Sequence, residues 1–266
     1  MDRKKIVKKW YEKIGFPPVY DEEFYGALES AELSSLTCFS EYDYKNNTPL
    51  QNLLACLYFC EALEKEYEKR DICERILIDS LQDLVIWNDS YYEVHGKIGL
   101  TEFPWIDRTF LLQIFRLGRL HFSMFPAFKD IPEIGAKEGE PVLEVHIPRG
   151  KPLKMEDCLD SFAQAKAFFA KYYPDFPQEW CMCCSWMLDE TILPLLGENS
   201  NIAKFQTLFT PIFKIVADDV IRFTFPWDTT RENIVHREPK SGFTKRLKER
   251  VLAGDIFYEV LGIRKF

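Results

Sequence analysis

The sequence predicts an α+β protein, helical in its first half and strand-bearing in its second. Two changes of pattern carry that prediction. Apolar residues recur at helical spacing from the start of the chain to about Leu117, and after Gly118 the period falls from about 3.6 to 2. No Gly-, Ser- or Pro-rich linker marks the change, so the reading is two tightly packed parts, residues 1–118 and 119–266.

In the first part, Ile6, Val7, Trp10 and Ile14 alternate with lysines as one helix over residues 2–14, stopped by Pro17-Pro18. A second helix fits Asp21–Leu33, with acidic residues in its first turn. Asn47-Thr48-Pro49 is a start signal for a long helix to about Arg70. Asp71 reads as the cap of the next, running to about Tyr92. Residues 95–106, with Gly96, Gly99 and Pro104, read as a loop, and a last helix covers Asp107 to about Leu117.

In the second part, Arg119–Phe125 and Val142–Ile147 alternate as strands, and Met155–Tyr172 is an amphipathic helix. Trp180–Trp186 is strand-like. Short helices fit Asp189–Leu196 and Asn201–Gln206. Phe213–Ala217 and Val220–Phe225 read as strands, and Thr244–Leu261 as a terminal helix interrupted at Gly254.

The composition bounds the function. Of 266 residues, 47% are hydrophobic and 15% aromatic, enough to fill a core rather than remain disordered. The net charge of -8 argues against nucleic acid or an anionic membrane as partner. There is no apolar run of bilayer length and no signal-peptide h-region behind Met1, and the eight cysteines fit reduced thiols, so the expectation is a cytoplasmic protein.

Side chains alternate across a strand, so each strand has a readable polar face. These faces carry His121, Glu144 with His146, Cys183 with Ser185, and Arg222. Aligned, they would form one surface. That surface is either the solvated side of an antiparallel sheet or a pocket against the helical half, and the thiols favour a covered face. Glu144 and His146, two apart on one face, are the candidate catalytic pair, the carboxylate orienting an imidazole that takes a proton. His121, Cys183, Ser185 and Arg222 are candidate substrate contacts.

The turn Pro148-Arg149-Gly150-Lys151-Pro152 precedes a helix. Arg149, Gly150 and Lys151 could hold a phosphate there, although a plain strand-to-helix connection explains the turn equally well. Ser200 and Asn201 at the next helix start are further candidates for cofactor binding, with Ser200 as a simple N-cap the alternative. Lys245, Arg246, Lys248 and Arg250 read as a solvated helix face, with contact to a cofactor phosphate the alternative. Cys181 and Cys184 match a metal spacing, but residues three apart on a strand face opposite ways, so no metal is expected. Cys183 as a nucleophile with His146 as its base is a further alternative.

Val145-His146-Ile147-Pro148 with Gly150 and Pro152-Leu153, then Ser185-Trp186-Met187-Leu188-Asp189, then Ser200-Asn201-Ile202 with Phe205-Gln206, resemble in order and spacing a bacterial group of acyltransferase-domain proteins. That group joins a helical N-acyltransferase N-terminal domain to a GNAT-like C-terminal domain. The resemblance implies a GNAT-like mixed α/β sheet under a packed helical half, and acyl-CoA as co-substrate for transfer to a small amine. It carries over no catalytic residues. The Arg/Gln-x-x-Gly-x-Gly/Ala loop of ordinary GNAT enzymes is absent from all twelve glycines. This keeps open a non-enzymatic ligand-binding or interaction protein on the same scaffold. The expected partner is a small-molecule ligand, and a homodimer is left open.

Overall fold

A computed structural model describes residues 2–197 and 199–266. By contacts the chain divides into two compact units, Met1–Arg116 and Leu117–Phe266. The architecture is α+β, and among the described residues no helix is long and apolar enough to cross a membrane.

Among the described residues the first unit has five α-helices: α1 (Arg3–Ile14), α2 (Asp21–Ser30), α3 (Pro49–Lys69), α4 (Glu74–His95) and α5 (Phe103–Phe110). Thr48 and Gln51 close a reciprocal capping box at the start of α3, with Pro49 in its first turn. Lys9 of α1 bridges Glu61 and Glu64 of α3 at 2.8 and 3.0 Å. Trp10 is fully buried.

Two helix boundaries differ from the sequence reading. Asp71 does not cap α4. It takes a left-handed φ of 54° beyond the end of α3, where the Ile72 N–H reaches the Tyr67 carbonyl at 3.0 Å and the Asp71 N–H the Glu68 carbonyl at 3.0 Å. This is a Schellman closure, and Asp is one of the few residues tolerated at its left-handed position. The helix expected over 107–117 starts earlier and ends earlier. Pro104 lies in the first turn of α5, where a missing N–H costs nothing. After Leu112, at φ 57°, the chain is already strand.

The second unit is organised on a six-stranded sheet with the order β1-β2-β3-β4-β6-β5. The strands are β1 (Ile114–Leu117), β2 (Leu120–Pro126), β3 (Pro141–His146), β4 (Trp180–Ser185), β5 (Thr210–Val216) and β6 (Tyr258–Lys265). The division between the units falls inside β1. Only β3 and β4 among the registered pairs run parallel, and α6 (Met155–Tyr172) is their crossover.

One sheet face packs on α6. Phe122 of β2 meets Phe162 edge-on at 5.7 Å, and the Arg264 guanidinium lies 4.6 Å from the Phe162 ring centre. On the other face, Val142, Met182, Leu261 and Ile263 are buried with Ala127 and Ile131 from the segment between β2 and β3. Beyond that cluster the same face turns polar.

The short helix α7 (Asn201–Gln206) forms where the sequence places it, whereas two segments expected as one element are another. Val220–Phe225 is not a strand but lies largely in the short helix α8 (Asp219–Thr224), burying Val220, Ile221 and Phe225 at helical spacing. The terminal helix α9 covers only Gly242–Leu252, and the chain then forms β6, inserted between β4 and β5. Val260, Leu261 and Ile263 are all buried, so β6 shows a near-continuous apolar run rather than a clean alternation.

Candidate active site

Pairing explains how the candidate residues come together. β2 and β3 are antiparallel with His121 opposite His146 and Ser123 opposite Glu144. β3 and β4 are in register at two positions only, Leu143 with Cys181 and Glu144 with Met182. Their ladder then ends, while β4 continues beside β6 as far as Ser185 opposite Val260.

A cleft of about 670 Å³ opens where the two parallel strands cease to pair. Its floor carries Glu144, His146, Cys184 and Glu259. Residues 147–151 and Leu153 form one wall. Ser185–Met187, Leu196, Gly197, Ser200–Ile202, Asp219 and Phe223 of α8, Phe243 of α9 and Arg119 complete the lining. All these residues belong to the second unit.

Glu144 Oε2 lies 3.0 Å from His146 Nε2, an ion pair when the imidazole is protonated. Glu144 is 8% exposed, so this end of the sheet face is covered rather than solvated. The Cys184 thiol hydrogen-bonds Glu259 and is pushed up to about 12, first by burial and then by Glu259 and Glu144. Burial, then Asp219 and Glu144, hold the Glu259 carboxyl above its ordinary range, while Cys184 and His146 pull it down.

The wall at residues 147–153 is held by Arg119. Its guanidinium donates to the carbonyls of Pro148 at 2.9 Å and Pro152 at 3.3 Å. Arg149 donates to the carbonyls of Phe223 and Phe225, each at 3.4 Å. Gly150 sits at φ 120°, a conformation an L side chain rarely adopts. The N-terminus of α6 follows, with no side-chain cap from Lys154. Its first turn carries Glu156 and Asp157, so the positive charge on this side of the cleft is that of Arg149 and Lys151.

The structure brings eight of the eleven candidate residues to the cleft: Glu144, His146, Arg149, Gly150, Lys151, Ser185, Ser200 and Asn201. Ser185 and Ser200 also cap. Ser185 Oγ accepts from the Met187 N–H at 3.1 Å, and Ser200 Oγ from those of Ile202 and Ala203 at 3.2 and 3.4 Å. His121, paired with His146 across the β2–β3 ladder, is buried at 2% exposure and does not line the cleft.

Two candidates are misplaced by the sequence reading. Cys183 faces away from Glu144, because the register of Glu144 with Met182 sends Cys184, not Cys183, to the cleft side. Cys183 is buried at 1% exposure, and burial raises its thiol well above the ordinary range. Arg222 lies on α8, its guanidinium 4.2 Å from the Trp227 ring centre, outside the lining. Conversely, sequence reasoning passed over Cys184, Asp219 and Glu259. The register of two strands separated by a helix is not written in either strand. For Glu259 a signal did exist: β-branched Val260 and Ile263 follow the break at Gly254. Among the described residues no group of three or more His, Cys, Asp or Glu is arranged to hold a metal.

Residues 114–264 match the GNAT-like C-terminal domain, and residues 7–112 match the N-acyltransferase N-terminal domain. The chain belongs to the GNAT-like C-terminal domain family. Solved structures agree in fold. An acyltransferase in complex with decanoyl-CoA and teicoplanin superposes with a TM-score of 0.80 at 18% identity, over 97% of this chain and 87% of that one. An acyltransferase in complex with decanoyl-CoA gives 0.79 at 20% identity, over 98% and 87%. A third, in complex with CoA and 10C-teicoplanin, gives 0.72 at 20% identity, over 99% and 85%. No curated protein matches the chain at a significant level.

Proposed function

We propose that this GNAT-like protein transfers an acyl group from acyl-CoA directly to the nitrogen of a small amine. In this reading residues 119–266 form the catalytic domain, and residues 1–118 a helical companion domain, of a cytoplasmic enzyme. The observation that carries it is the Glu144–His146 pair on the floor of the cleft where β3 and β4 part. The acyl-CoA and CoA complexes of similarly folded acyltransferases support the donor.

The residues suit the chemistry. An ammonium has no lone pair to attack a thioester, so the acceptor must lose a proton. His146 takes it, and the nearby Glu144 carboxylate stabilises the imidazolium that results. The amine nitrogen bonds to the thioester carbonyl carbon, the C–S bond breaks, and the CoA thiolate leaves and takes up the second proton, which the acylated nitrogen gives up as the amide forms. Arg149 and Lys151 offer positive charge to the CoA phosphates. A cleft of about 670 Å³ is in the range of small-molecule sites.

Calorimetry with acyl-CoAs of short and long chain, followed by a thiol-release assay with amines, tests the reading. Binding and release are expected. His146→Ala is expected to lower turnover by about 10²- to 10⁴-fold with the fold intact. Absence of binding to every acyl-CoA would overturn the reading. The absence of the usual glycine loop favours a second one, a ligand-binding protein on the same scaffold. Binding without thiol release for any amine would select that second reading.

A further inference from the structure

The cleft holds charges of both signs, and they are not used alike. Arg119 and Arg149 hold main-chain carbonyls of residues 148, 152, 223 and 225. Glu144, Asp219 and Glu259 approach from β3, α8 and β6. Neither Asp219 nor Glu259 forms an ion pair among the described residues, whereas the adjacent Asp218 is taken by Arg231 at 2.8 Å. Like carboxylates gathered in a partly buried cleft repel one another, and a cation seated among them removes that cost.

On the acyl-transfer reading above, on which this rests, we infer that the acceptor is a diamine or polyamine. One nitrogen is the nucleophile beside His146, and a distal ammonium lies by Glu259 and Asp219. The cleft itself, with the Glu144–His146 pair on its floor, is the site. The two additional carboxylates set the charge of what enters it. Phe223 and Phe243 in the lining give the methylenes between the two nitrogens an apolar surface. The elevated carboxyl of Glu259 fits the same arrangement, since a neighbouring ammonium would draw it back down.

Three acceptors of one chain length and different distal charge test this: putrescine, butylamine and 4-aminobutyrate. With the full-length protein, kcat/KM is expected to fall in that order, by about tenfold at each step. Glu259→Gln and Asp219→Asn should each raise KM for putrescine more than they lower kcat. Each should also shrink the ratio of putrescine to butylamine. Calorimetry of the three amines, with a CoA thioether analogue bound, reads the same preference without turnover. A flat or reversed order in the wild type overturns the inference. So does an unchanged ratio in both folded variants. Acyl-CoA binding and transfer to butylamine would then still stand, whereas release with no amine at all overturns the transferase reading itself.

Discussion

Glu144 and His146 stand two residues apart on one strand face, with Oε2 and Nε2 3.0 Å apart, beside the point where the β3–β4 ladder ends. The relationship predicts unequal costs. Losing the imidazole removes the proton acceptor. Changing Glu144→Gln keeps the shape and removes only the negative charge that favours imidazolium. Steady-state kinetics should therefore show a smaller loss of kcat for Glu144→Gln than for His146→Ala, with the acyl-CoA dissociation constant little changed in both. Equal turnover in wild type and His146→Ala would remove the base from the scheme.

How much of this was legible in the sequence depends on which contacts set each feature. Met155–Tyr172 and Asn201–Gln206 form where the sequence places them, because helical periodicity, and at Ser200 capping, are local. The Glu144–His146 face is legible for the same reason, being two positions on one strand. The Cys183/Cys184 choice is not, because parity across a parallel pair depends on a register set through α6. Val220–Phe225 misleads because six residues hold too little pattern to separate periods 2 and 3.6. β6 hides because, paired on both edges between β4 and β5, it is apolar on both faces.

Gly262 of β6 is fixed by packing. A Cβ there would lie 2.8 Å from Leu188 Cδ1 and 2.9 Å from Phe209 Cβ. Gly262→Ala is expected to cost about 1–3 kcal/mol through overpacking. Thermal unfolding should show a lowered Tm, and an unchanged Tm would mean that Leu188 and Phe209 can move aside freely.

The eight thiols should sort by environment. Cys38 and Cys73 are exposed, while Cys184 is half-buried and its thiol is pushed up to about 12. At pH 8 a thiol reagent should label two cysteines quickly and the other six only on unfolding. Peptide mapping that found rapid labelling of Cys184 would show its thiolate to be far more accessible than this structure allows.

Glu259 links stability to pH with a definite sign. Its folded carboxyl binds a proton more tightly than the ordinary value of 4.5 implies, because of burial and then of Asp219 and Glu144. Its contribution is thus full below pH 4.5 and is lost as pH rises through the elevated folded value. Glu259→Gln, which stays neutral, should be more stable than wild type at pH 7, with the gap closing as pH falls toward 4.5. Denaturant titrations across that range check it, and a gap that widened toward acid would reverse the sign assigned to Glu259.

Arg119 is expected to act on the cleft through its wall. One planar guanidinium reaches two carbonyls, those of Pro148 and Pro152, and so fixes both ends of the turn that carries Arg149, Gly150 and Lys151. A lysine ammonium at the same position is a compact point charge and lacks that fork. Arg119→Lys should therefore loosen the turn while keeping the charge. Because the turn faces the CoA phosphates in the proposed complex, the dissociation constant for acyl-CoA should rise by about tenfold, which is roughly the net worth of one hydrogen bond to a charged group. The rate at saturating acyl-CoA should change less, since Glu144 and His146 sit on β3 and not on the turn. Calorimetry with saturation kinetics separates the two effects. A fall in kcat with unchanged acyl-CoA affinity would place Arg119 with the chemistry rather than with the wall.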